Sequence, residues 1–158
     1  MAVPIHQSLI QQIKSAEALY HRLILLVGPS GSGKTAILQK VARSFKTSPV
    51  NVNLTVATGL LEMTERQRKL QVVRTLEEAI DSSESLLVLD NIEMLFEPKL
   101  QQDPLRLLQS LSRNITVVAA WNGTHKNGKL CYADPSHREY QSYENADALI
   151  VNMEPLTS

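Results

Sequence analysis

The sequence predicts a three-layer α/β/α domain built around a mainly parallel sheet. Three observations carry that expectation. Leu23-Ile24-Leu25-Leu26-Val27 and Leu86-Leu87-Val88-Leu89 are uninterrupted apolar runs, as in strands buried on both faces. Segments of helical periodicity stand between the strand-like runs, so the strands connect by crossovers and lie parallel. A glycine-rich stretch, Gly28 to Thr35, joins the first run to the helix that follows it. In sheets of this kind a ligand lies beyond the carboxyl ends of the strands.

Taken in order, Ile5, Leu9, Ile13 and Ala16 recur at helical spacing and predict an amphipathic helix before the first strand. After Leu23–Val27, a helix is expected from about Gly33 to Phe45, with Ile37, Leu38, Val41 and Phe45 facing the sheet and Lys40, Arg43 and Lys46 on a solvated outer stripe. Pro49 breaks the chain, and the alternation of Val50, Val52, Leu54 and Val56 reads as a second strand over Val50 to Val56. Thr64 with Gln67 is a capping-box pattern opening a helix to about Ile80. Leu86 to Leu89, closed by Asp90, forms the third strand. Asp103-Pro104 is an N-cap followed by proline at the first helical position, with Leu105, Leu108 and Leu111 along one face. Ile115 to Trp121 is the fourth strand. Asn122-Gly123 and Asn127-Gly128 read as tight turns, placing a hairpin or flap over about 121–133. Asp134-Pro135 opens another short helix, and Ala148 to Met153 supplies the last strand.

Composition bounds the function. With 158 residues the chain is the size of one domain (1–158), comprising an N-terminal helix over 1–21 and a core over 22–153. Lys plus Arg and Asp plus Glu number 16 each, so no net field draws in nucleic acid or membrane lipid. Residues 1–50 do carry a basic excess through which DNA could be touched directly, but no DNA-reading motif accompanies it, so direct and indirect DNA contact both stay open. Cys131 is the single cysteine, which excludes an internal disulfide and fits a reducing, cytoplasmic setting. The apolar run Leu23–Val27 is far short of the ~20 residues needed to span a membrane, and no signal-peptide pattern opens the chain.

Gly28-Pro29-Ser30-Gly31-Ser32-Gly33-Lys34-Thr35 matches G-x-x-x-x-G-K-[ST] at every fixed position, between a buried strand and a helix. Glycines let successive N–H groups turn inward onto phosphate oxygens, and the helix places its positive end beneath them. Lys34 is then expected on the β- and γ-phosphates and Thr35 on Mg²⁺, which predicts a P-loop NTPase fold. Asp90, ending an apolar strand, is the second expected support of Mg²⁺, the alternative being a cap on the next turn. No Asn-Lys-x-Asp segment points to guanine, so ATP is the expected nucleotide. Asn91 follows Asp90 and cannot accept a proton; Glu93, or more distantly Glu62, is the candidate base for an attacking water, the plainer reading of each being a surface carboxylate. Asn122, at the end of a strand C-terminal to Asp90, reads with Gly123 as a turn former.

Walker A, Leu-Leu-Val-Leu-Asp-Asn-Ile-Glu and Thr-Val-Val-Ala-Ala-Trp-Asn-Gly, in that order, resemble the core of an AAA+ P-loop ATPase over about 22–153. The resemblance implies a γ-phosphate sensor at Asn122 and an arginine finger at Arg138, the plainer reading of which is an exposed helix arginine. Where the family has Glu after the strand-ending Asp this chain has Asn91, implying slow hydrolysis. No C-terminal helical lid is expected, since the sequence stops at Ser158. Trp121-Asn122-Gly123, Leu130-Cys131-Tyr132-Ala133-Asp134-Pro135 and His137-Arg138-Glu139-Tyr140 are further similar to the BrxF-type proteins of BREX phage-defence systems. That similarity implies a bacterial antiviral role among other protein subunits of a defence assembly. The resulting expectation is an ATP-binding, weakly hydrolysing regulatory ATPase, homo-oligomeric or with partners. A small-molecule kinase and a non-hydrolysing, nucleotide-controlled scaffold are the alternatives.

Overall fold

The computed structural model describes residues 4–60, 63–64, 67, 71–72, 74–75, 77–78, 86–97, 102–133, 140–144 and 146–153. Helix α1 spans Ile5–Ala16, β1 Leu23–Gly28, α2 Lys34–Ser44, β2 Val50–Asn51, α3 Val52–Leu60 and β3 Leu86–Asp90. A single 3-10 turn, Glu93–Phe96, follows, then α4 Pro104–Leu111, β4 Thr116–Lys126, β5 Lys129–Tyr132, β6 Gln141–Glu144 and β7 Leu149–Asn152. Five strands in the order β2-β3-β4-β1-β7 pair in parallel.

Successive residues of the central strands point to opposite faces, and both faces are covered. Leu23, Leu25, Leu87, Leu89, Val117 and Ala119 pack with Val52 and Val56 of α3 and with Leu105, Leu108 and Leu111 of α4. Ile24, Leu26, Val88 and Val118 pack with Leu9, Ile13 and Ala16 of α1 and with Leu38, Val41 and Ala42 of α2. This is the expected three-layer arrangement with its mostly parallel sheet, and the apolar continuity of β1 and β3 follows from it. The expected caps are also present. Asp103 accepts from the Arg106 N–H at 3.2 Å, and Thr64 and Gln67 exchange backbone-to-side-chain bonds at 3.0 and 3.3 Å. The end of that helix near Ile80, and the short helix expected from Asp134, lie outside the described residues. Among the described residues no helix is long and apolar enough to cross a membrane.

Two readings change. The strand expected over Val50 to Val56 is only Val50–Asn51, and the chain is helical from Val52. Val52 and Val56 satisfy both periods: they fall in step with an alternation, and four apart they share one helical face. Both side chains are fully buried, which the helix achieves. The Asn51 side chain accepts the Leu54 N–H at 3.0 Å and so starts the helix.

Asn122-Gly123 is not a turn. It lies inside β4, which leaves the parallel sheet at Asn122, opposite Gly28, and continues as one strand of an antiparallel flap with β5 and β6. The turn of that flap is Asn127-Gly128, with φ of 53° and 76°, a two-residue hairpin turn. Gly123 is needed for another reason: a Cβ there would overlap the Cys131 carbonyl oxygen. The Trp121 indole N–H donates to that same oxygen at 3.1 Å. Gly123→Ala is therefore expected to lower stability by ~1–3 kcal/mol, the usual cost of overpacking. Urea denaturation checks it, and an unchanged midpoint would contradict the close approach of β4 and β5.

Candidate functional site

Gly28, Asp90 and Asn122 end the parallel parts of β1, β3 and β4, so three chemically distinct groups converge on one edge of the sheet. From Gly28 the chain turns through Pro29 to Gly33 and enters α2 at Lys34. Gly31 and Gly33 have φ of 79° and 97°, the left-handed region that an L side chain resists. Gly33 occupies the N-cap of α2 and offers no side chain to its first N–H groups. Those amides and the positive end of the helix dipole are thus available to an anion.

Lys34 is buried, and its ammonium donates to the carbonyl oxygens of Gly28 at 2.8 Å and Pro29 at 2.7 Å, with Ser32 Oγ at 3.4 Å. Burial pulls its pKa below the ordinary lysine value, against the opposing fields of Asp90 and Glu93. Thr35 donates its hydroxyl to one oxygen of the buried Asp90 carboxylate at 2.6 Å, while the other accepts the Asn91 N–H at 2.9 Å. Asn91 has φ 54°, a left-handed conformation that asparagine tolerates. Its carbonyl accepts the Asn53 N–H at 2.8 Å.

Glu93 opens the 3-10 turn and reaches back into the cleft. Its carboxylate accepts from the Asn122 side-chain amide at 2.5 Å on one oxygen and from the Asn53 amide at 2.9 Å on the other. The Asn53 side-chain carbonyl accepts the Met94 N–H at 2.8 Å, tying the start of α3 to the turn. Lys34, Thr35, Asp90, Asn91, Glu93 and Asn122 line one cleft of about 510 Å³, within the usual size range of small-ligand sites.

The structure brings Gly28–Thr35, Asp90, Glu93 and Asn122 together around one cleft. Arg138 and Glu62 lie outside the described residues. Asn53 is the site residue that sequence reasoning misses, because a strand over Val50 to Val56 gives it no route to the cleft. Val52 and Val56 fit both periods, so their spacing alone does not point to it.

The AAA family model, ATPase family associated with various cellular activities, matches residues 24–126. The chain is 32% identical over 89 residues to a vesicle-fusing ATPase of Arabidopsis thaliana, covering 56% of this chain and 12% of that protein. To the vesicular-fusion protein sec18 of Schizosaccharomyces pombe it is 34% identical over 88 residues, 56% of this chain and 11% of that one. It therefore spans only a small part of the curated relatives it matches. A crystal structure of a DNA replication initiation factor superposes with a TM-score of 0.53 at 16% identity, over 98% of this chain and 48% of that one, a likeness of fold alone. The family match takes in β1, the glycine loop, β3 and the parallel part of β4, well over half of the sequence, and the chain belongs to the AAA family of ATPases.

Proposed function

We propose that the cleft binds Mg-ATP and hydrolyses it slowly, with Glu93 as the general base. The observation that carries this reading is the Glu93 carboxylate, held by Asn122 and Asn53 in the same cleft as Lys34 and the Thr35–Asp90 pair.

The amides at Gly31 to Thr35 receive the phosphates, and Lys34 exchanges its carbonyl acceptors for β- and γ-phosphate oxygens. Asp90 and Thr35 present hard oxygen donors 2.6 Å apart, the donor chemistry that suits Mg²⁺. The ion supplies neutralisation of phosphate charge when bound. Asn122 sits where its amide can meet the γ-phosphate or orient Glu93. In the chemical step a water oxygen forms the new bond to the γ-phosphorus, the bond to the β,γ-bridging oxygen breaks, and ADP leaves. The proton of that water passes to a Glu93 oxygen. Asn91 has no group to take this proton. Each Glu93 oxygen accepts one amide donor and keeps a further lone pair for the water. The slow turnover we propose rests on Asn91 standing next to Asp90 in place of a carboxylate.

The wider setting we propose is a regulatory role beside other protein subunits in the cytoplasm. The segments 121–123 and 130–140, with their likeness to phage-defence proteins, support an antiviral assembly. Co-purification of a tagged chain from phage-challenged cells, with and without the Lys34 ammonium, tests that setting. No nucleotide-dependent partner would count against it.

Lys34→Ala is expected to weaken Mg-ATP binding at least tenfold, since charge-assisted bonds contribute roughly 1.5–3 kcal/mol each. Calorimetric titration reads this, with circular dichroism showing the fold retained; unchanged affinity would remove the cleft from consideration. Glu93→Gln is expected to lower turnover by roughly 10²–10⁴-fold, the range of general-base catalysis, with Mg-ATP affinity little changed. Steady-state phosphate release is the measurement. Undiminished turnover would strip Glu93 of its role, and binding without any turnover in the unaltered chain would favour the nucleotide-controlled scaffold.

A further inference from the structure

Glu93 is anchored at both ends of its turn. Its carboxylate rests on Asn122 and Asn53, and the turn closes at Phe96, whose buried ring lies against the flap. Phe96 and Tyr132 of β5 are stacked, with centroids 3.4 Å apart and planes within 6°. Trp121 meets Phe96 edge-on at 5.2 Å and Tyr132 at 6.0 Å. Tyr143 of β6 closes the cluster against Trp121 at 5.9 Å. Trp121 immediately precedes Asn122 in β4, so the strand that supplies the amide holding the carboxylate also supplies a ring of the cluster.

A single 3-10 turn has little stability of its own. Its N-cap, Ile92, makes no side-chain capping bond. The direction of Glu93 therefore depends on what the turn packs against, with Leu95 buried in its middle and Phe96 at its far end. At the far end that is the Tyr132 ring, which is 5% exposed. Tyr132 belongs to β5, which reaches the turn only because Gly123 permits the close pairing of β4 and β5.

We propose that Tyr132 is a positioning residue for hydrolysis: its ring, stacked on Phe96, holds the turn that aims Glu93 into the cleft. This rests on the reading of Glu93 as the base. Displacing a reacting group by ~1 Å costs about 10²-fold in rate, so a small shift of the turn is enough to matter. Tyr132 then acts on the chemical step through the turn that carries Glu93.

Tyr132→Leu, which keeps an apolar side chain but no ring, is expected to lower kcat at least tenfold, with Mg-ATP affinity within about threefold of the original. Tyr132→Phe, which keeps the ring, is expected to restore the rate. A second readout needs no turnover: nitrogen-15 NMR of the Asn122 and Asn53 side-chain amides, expected to shift in Tyr132→Leu and to stay in place in Tyr132→Phe. If Tyr132→Leu loses thermal stability while kcat and both amide signals stay unchanged, the ring is structural only and the inference is overturned. Where that variant does not fold, Phe96→Leu probes the stack from its other side. A fall in kcat with shifted amide signals there supports the inference, and unchanged values overturn it. An undiminished rate in Glu93→Gln would sink the base assignment instead, and the amide signals would still decide whether Tyr132 holds the turn.

Discussion

A buried lysine ammonium needs acceptors, and the rest of the site is arranged around supplying them. Removing Lys34 from water costs several kcal/mol unless charge-assisted bonds replace the lost hydration. The Gly28 and Pro29 carbonyls do so at 2.8 and 2.7 Å, and Asp90 and Glu93 add favourable fields. Those carbonyls can turn back onto their own lysine only because the loop between β1 and α2 passes through left-handed conformations at Gly31 and Gly33. The ammonium is thus held in the cleft by main-chain oxygens, and in the binding we propose a triphosphate would exchange one set of oxygen acceptors for another.

The sheet supplies the precision. Parallel strands buried on both faces leave little freedom in register, and a slip of one residue would turn every core side chain to the wrong layer. Gly28 stands opposite Asn122, and Asn51 opposite Asp90, as part of that register. The carboxylate that faces Thr35 and the amide that faces Glu93 are consequently fixed by the packing of leucines and valines some distance away. Glu93 is the exception. It rides on a short turn outside the sheet, and its position comes from side chains: two amides at one end and an aromatic stack at the other.

The features legible in the sequence are those that local chemistry dictates. The phosphate loop demands its glycines, lysine and threonine at set spacing, and buried parallel strands demand unbroken apolar runs. Asp103-Pro104 and Thr64 with Gln67 are caps because of the bonds they make. What cannot be read locally depends on distant contacts. Val50 to Val56 fits either period, and only the pocket that receives Val52 and Val56 makes it helical. Asn122-Gly123 has the composition of a turn, yet Gly123 is there because β5 passes close by. The grip on Glu93 joins Asn53 and Asn122, far apart in the chain, and no short-range pattern announces it. Phe96 and Tyr132 look like any two core aromatics until the fold brings them face to face.

A crystal structure with Mg²⁺ and a non-hydrolysable ATP analogue is the most direct test of how this cleft works. The triphosphate is expected inside the 28–35 loop, with the Lys34 ammonium moved from the Gly28 and Pro29 carbonyls to phosphate oxygens. The metal is expected between Thr35 and Asp90, and Glu93 within hydrogen-bond reach of a water in line with the γ-phosphate. A triphosphate seated elsewhere, or a Glu93 turned out of the cleft in that complex, would contradict the assignment.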